Sequence, residues 1–138
     1  MNRFLICSLG GGFYAFEASA IAEVVGFDTF YPLPLLPSYA KGLINRFATP
    51  YLLIDTALFL AIGGAETKKV LVLKEQIDRL AFTIDDCIDI VDVDENTVQT
   101  ITDAHQSYLN GVFEYRKNDV FIVDHSAMIE QFNEEFVL

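Results

Sequence analysis

Basic residues are scarce in this chain: nine Lys and Arg stand against twenty Asp and Glu, for a net charge of −11. That balance opposes docking on a nucleic-acid backbone or an anionic membrane surface, and it keeps an apolar-rich chain soluble. Cysteine is limited to Cys7 and Cys87, and histidine to His105 and His125. None of the four falls in a CxxC, an HExxH or a nucleophile elbow, so the sequence offers no familiar metal or nucleophile motif. Both cysteines are expected to be reduced, buried thiols. No apolar run approaches the roughly 18 residues of a membrane span. Arg3 followed by Phe4 to Leu9, with Ala18-Ser19-Ala20 beyond, imitates a leader peptide. The run is too short, Gly10-Gly11-Gly12 breaks it and Glu17 sits beside the supposed cleavage point, so a cytosolic protein is the expectation. Gly/Ser-rich or Pro-rich linkers are also missing, which excludes two beads on a string.

What the chain has is apolar surface and internal repetition. Hydrophobic residues make up 52% of its 138 positions, with 12 Phe and 6 Tyr, ample for one compact domain. Ser38-Tyr39-Ala40-Lys41-Gly42 matches Ser107-Tyr108-Leu109-Asn110-Gly111, and Leu53-Ile54-Asp55 matches Ile122-Val123-Asp124, both 69 positions apart. Earlier in each half the register is 66: Ala15-Phe16 meets Ala81-Phe82, and Glu23-Val24-Val25 meets Asp89-Ile90-Val91. The chain therefore reads as a tandem duplication with a small insertion in the second copy. The only plausible seam is Gly63-Gly64-Ala65-Glu66-Thr67, dividing subdomains at about 1–65 and 66–138. Halves this small are expected to share one hydrophobic core and are free to exchange strands.

Short-strand periodicity dominates. Arg3 to Leu9, the glycine turn and Phe13 to Glu17 form a hairpin, repeated by Lys69 to Leu73 and Leu80 to Ile84. Further strands are predicted at Val24 to Phe30, Gly42 to Arg46, Tyr51 to Asp55, Ile88 to Val93, Gly111 to Tyr115 and Val120 to Val123, with Asn118-Asp119 as the last hairpin turn. Helices are predicted at Thr56 to Ile62 and Ser126 to Phe132, with Thr56 or Ser126 as N-cap. Ten strands with two short helices predict an all-β protein of two five-stranded barrels. Tyr31 to Pro37 holds three prolines and is expected to be an extended connection over the core.

With these elements in place the chain resembles the CheW-like domain, the coupling protein of bacterial chemotaxis arrays, over nearly its whole length. The family's F-L-x-F-x-L-G strand and aromatic return appear as Phe4 to Gly10 and Phe13 to Phe16. Its V-x-E-I appears as Ile21-Ala22-Glu23-Val24, its P-x-x-x-x-G-x-x-N as Pro37 through Gly42 to Asn45, and its V-I-D as Leu53-Ile54-Asp55. In the second half, V-D-x-V-x-x-V corresponds to Ile84 to Ile90, and Y-x-x-G-V to Tyr108 to Val112. The resemblance implies two SH3-like β-subdomains around a common core. It also implies a non-catalytic adaptor without cofactor or metal, docking on the regulatory domain of the histidine kinase CheA and on the cytoplasmic tip of chemoreceptors. Partner-binding positions carried over from the family are Ile21, Glu23, Gly42, Asn45, and Arg46 or Phe47. Where the family reads N-L-R-G this chain reads Asn45-Arg46-Phe47-Ala48, so the family's arginine falls on Phe47. A one-residue shift in a strand sends Arg46 to the opposite face, which puts ordinary receptor coupling in question.

From the residues alone, an apolar groove between the subdomains is expected, because so many aromatics in so short a chain exceed what a core needs. Ile21 and Gly42 also have purely structural readings, as a core residue and as a glycine demanded by strand geometry. Asp92 to Asp103 has part of an EF-hand's acid spacing, but Thr97 holds the place that requires glycine. Asp55 and Asp124 suit helix N-terminal carboxylates better than an acid/base couple. Two alternatives stay open: a CheW-like scaffold for a pilus-linked or other accessory array, and a small-ligand-binding double barrel.

Overall fold

Eleven strands form two sheets in a computed structural model that describes residues 1–27, 29–46, 48–63, 69–74, 79–102 and 108–135. In chain order they are β1 (Asn2–Leu9), β2 (Gly12–Glu17), β3 (Ile21–Gly26), β4 (Ala40–Arg46), β5 (Thr49–Ile54), α1 (Thr56–Phe59), β6 (Lys69–Leu73), β7 (Leu80–Ile84), β8 (Asp86–Val93), β9 (Gln99–Thr100), β10 (Leu109–Tyr115), β11 (Asn118–Val123) and α2 (His125–Glu135). One sheet has the order β8-β1-β2-β11-β10-β9, the other β3-β6-β7-β5-β4. Sheet membership therefore crosses position 65: the hairpin that opens each half pairs within the other half's sheet. Parallel pairing makes the exchange, β2 against β11 and β7 against β5.

Both repeat registers hold in space. Ala15 lies opposite Ile122, and its equivalent Ala81 lies opposite Leu53. The bulge in the β4–β5 ladder between Ala40 and Gly42 recurs in β10–β11 between Leu109 and Gly111. The amide of Asp55 donates to Tyr39 O at 2.7 Å, and that of Asp124 donates to Tyr108 O at 2.8 Å. Phe16 and Phe82, themselves equivalent, stack on each other with centroids 6.3 Å apart, at the pseudo-twofold axis that relates the halves.

Alternation along the central strands explains the apolar richness. Phe4 and Ile6 of β1 point into one barrel with Phe113, Val120 and Ile122. Leu5 and Cys7, one residue out of phase, enter the cluster between the barrels with Phe16, Leu71, Leu73, Phe82, Ile84, Met128 and Phe132. β6 divides likewise: Leu71 and Leu73 face the shared cluster, and Val70 and Val72 fill the other barrel with Ile44, Leu53 and Ala81. A strand covered on both faces reads as a continuous apolar run, as in Val70 to Leu73. Among the described residues the shared cluster is the largest, with fourteen buried residues against seven and five in the barrels, so much of the burial that stabilises the fold joins the two halves.

Several expectations are corrected. Asp55 and Asp124, not Thr56 and Ser126, cap the helices: Asp55 Oδ1 accepts from Leu58 N and Asp124 Oδ1 from Ala127 N, both at 3.0 Å. A carboxylate satisfies an orphan amide and favours the positive end of the dipole at once. The strand predicted from Val24 to Phe30 starts earlier and ends at Gly26, opposite Lys69, where β6 begins. The final hairpin turns at Arg116-Lys117, whose φ values of 48° and 65° give the paired left-handed geometry that two-residue loops need. Asn118 instead opens β11 and donates to Arg116 O. α1 ends at Phe59, α2 runs longer than predicted, and β9 adds a sixth strand to one sheet. Cys87 is exposed, while Cys7 is buried.

Candidate functional site

β3 and β4 are the two edges of the five-stranded sheet, and closing that sheet into a barrel leaves a seam between them. The connection that leaves β3 returns across β4 at Tyr31, which exchanges two backbone hydrogen bonds with Leu43 at 2.8 and 2.9 Å. Along the seam runs a groove of about 440 Å³ lined by Glu23, Val25, Phe27, Tyr31, Asn45 and Arg46. The carboxylate of Glu23 and the guanidinium of Arg46 form an ion pair across it, with side chains 29% and 24% exposed. Arg46 follows Gly42 and Ile44 in strand alternation, which carries it to the groove; Asn45 is exposed beside it.

Three of the six positions singled out in the sequence, Glu23, Asn45 and Arg46, thus meet at one groove, set in the seam of one barrel instead of between the barrels. Ile21 stands apart, opposite Leu73 and half-buried against the shared core. Gly42 serves the backbone: with φ at 150°, a Cβ there would stand 2.2 Å from Tyr31 O and 2.9 Å from Pro32 Cα. Phe47 lies outside the described residues. The proline-rich strap beyond Tyr31 leaves Leu33 and Leu35 exposed, while Leu36 packs on the shared core.

Sequence reasoning missed the counterpart of the ion pair. Asp89 and Tyr115 occupy the positions equivalent to Glu23 and Arg46, and Tyr115 Oη donates to Asp89 Oδ2 at 2.6 Å across the seam of the other barrel. This hydrogen bond holds the Asp89 carboxyl below the usual carboxylate range and raises the Tyr115 phenol. Applying the 66- and 69-residue registers to Glu23 and Arg46 finds both residues. A second cavity of about 250 Å³ lies beside α1, lined by Tyr14, Phe59, Ile62, Tyr108 and Leu109. Above it Tyr39, Phe59 and Tyr108 form a ring cluster with centroids 4.2 and 4.8 Å apart. Tyr39 Oη donates to Glu135 of α2 at 2.8 Å, and burial together with that bond pushes the phenol up.

The acidic groups that invite a catalytic or metal reading are otherwise engaged. Asp55 and Asp124 cap helices, Asp92 pairs with Arg3 at 2.9 Å, and Asp94 accepts from Asn96 N at 2.9 Å. Among the described residues no group of three or more His, Cys, Asp or Glu side chains is placed to hold a metal. His125 begins α2, and His105 lies outside the described residues. No helix among the described residues is long and apolar enough to cross a membrane.

Two pseudo-symmetric barrels around one core, with an open groove at a barrel seam, define a duplicated β-barrel fold. The CheW-like domain profile matches residues 3–133, and the chain belongs to that family. Fifteen solved chains match the fold. One is the scaffolding protein TtCheW from Thermoanaerobacter tengcongensis, with a TM-score of 0.79 and 16% identity, over 88% of this chain and 83% of that one. No curated protein gives a significant match.

Proposed function

We propose that this chain is a non-catalytic cytoplasmic adaptor that couples chemoreceptors to the histidine kinase CheA at membrane-associated arrays. The observation that carries the reading is the family match over residues 3–133. The kinase's regulatory domain is the partner for a barrel surface, and the receptor tip is the partner for the Glu23, Asn45 and Arg46 groove, with Ile21, Gly42 and Phe47 as the further partner positions that the family resemblance implies. A groove with apolar walls at Val25 and Phe27 and polar groups at its rim has the composition of a modest protein interface.

Calorimetric titration with the regulatory domain of CheA, followed by a receptor-tip fragment, tests this. Binding to the kinase domain at about micromolar Kd or tighter is expected. Binding to neither fragment overturns the proposal.

A second reading, an accessory scaffold in a pilus-linked or other array with altered receptor binding, is favoured by one observation: the Arg46 guanidinium is engaged by Glu23 across the seam. Restoring the family motif with Arg46→Leu, Phe47→Arg and Ala48→Gly should then add receptor affinity. No gain counts against this second reading.

A further inference from the structure

The two cysteines, 80 positions apart in sequence, are direct partners in the β1–β8 ladder, at the bulge that follows Ile6. Opposed residues in an antiparallel pair have Cα atoms about 4.5–5.5 Å apart, inside the roughly 4.4–6.8 Å that a disulfide spans. The duplication fixes their direction. Their repeat equivalents, Leu73 for Cys7 and Ile21 for Cys87, are also ladder partners at a bulge, in the other sheet, and both of those side chains pack on the shared core. Cys7 lies in that same core, and Cys87, opposite it, opens to solvent at the sheet edge. Where one sheet places an apolar pair, the other places two thiols on the same face.

We propose that Cys7 and Cys87 form a thiol–disulfide switch that staples the edge strand β8 to β1. The order of reaction follows from exposure. Partial desolvation and Asp86 raise the Cys87 thiol too, but Cys7 is buried, its thiol pushed further up by burial and its Sγ donating to Tyr14 O at 3.4 Å, so Cys87, the thiol open to solvent, reacts first. The oxidant is a small-molecule disulfide such as oxidised glutathione. The Cys87 thiolate attacks one of its sulfurs, forming a mixed disulfide and expelling one glutathione thiolate. Cys7 then gives up its proton and attacks the Cys87 sulfur, expelling a second glutathione. Two protein thiols are oxidised and one small disulfide is reduced to two thiols. The bridge fixes the strand that carries the exposed Ile88 and Ile90 and the seam carboxylate Asp89.

The test incubates the full chain, natively folded, with oxidised glutathione and reads intact mass, thiol content after denaturation, and the thermal midpoint. The expected product is a monomer two hydrogens lighter, with no free thiol and a midpoint raised by roughly 10 °C. Cys87→Ser, at an exposed position, should stay unmodified, and Cys7→Ala should stop at a glutathione adduct on Cys87. Because wild type alone decides the main point, a poorly folded Cys7 variant does not blunt the test. A wild-type product that stops at the mixed disulfide, links two chains, or melts lower than the reduced form overturns the proposal. So does glutathione uptake by Cys87→Ser at the wild-type rate.

Discussion

Replacing Gly42 by alanine should unfold the barrel seam far more readily than the same change at its repeat partner Gly111. At Gly42 the backbone has φ 150°, and the new methyl would meet Tyr31 O at 2.2 Å, Tyr31 C at 2.7 Å and Pro32 Cα at 2.9 Å, all of them main-chain atoms. Strain at such a φ costs about 1–3 kcal/mol, and displacing the crossing strap adds about 1–3 kcal/mol. Reduced freedom of the unfolded chain returns about 0.4–1 kcal/mol. The net expectation is a loss of about 3 kcal/mol. At Gly111 the nearest atoms are side-chain tips, Val98 Cγ1 at 2.8 Å and Ile122 Cδ1 at 3.2 Å, with Gln99 O at 3.4 Å. The Ile122 tip can rotate away and Val98 must shift slightly, with no main-chain clash or positive φ to relieve, so about 1 kcal/mol is expected there. Urea unfolding of both variants, compared at equal m-value, measures the difference. Equal losses within about 0.5 kcal/mol would refute the reasoning and return Gly42 to a partner-contact role.

The Glu23–Arg46 pair is partly exposed, so a double-mutant cycle with Glu23→Gln and Arg46→Met should give a coupling of only about 0.5–1 kcal/mol; a value near zero would mean that the pair does not close the seam. Acid should loosen β8 first. Asp86, Asp89 and Asp92 are held below the ordinary carboxylate range by hydrogen bonds from Lys69, Tyr115 and Arg3. Carboxyls depressed in the folded state contribute stability above their unfolded pKa of about 4 and lose it as pH falls through the folded values. Hydrogen exchange below that pH should therefore rise earlier in β8 than in β6, and uniform exchange across both strands would contradict the assignment.

Much of this architecture was legible in the chain itself. A 66-residue register joining Ala15-Phe16 to Ala81-Phe82, and a 69-residue register joining Gly42 and Asp55 to Gly111 and Asp124, state the duplication in the sequence itself. Period-2 alternation marked the strands because each side chain must choose one face of a sheet. Even the helix-start carboxylates were visible, although an adjacent hydroxyl in each case competed for the cap.

Tertiary structure alone decided the rest, because pairing between distant strands leaves no local pattern. Nothing within Asn2–Leu9 says that β1 must lie between β8 and β2, or that parallel pairing would carry each hairpin into the other half's sheet. The opposition of Cys7 and Cys87 exists only once β1 pairs with β8, and the seam contacts of Glu23 with Arg46 and Asp89 with Tyr115 only once the sheets curl and bring their edges together. Sequence set which residues are apolar, where strands turn and that the chain repeats; sheet closure set which side chains meet, since a barrel joins edges that the chain's own order keeps far apart.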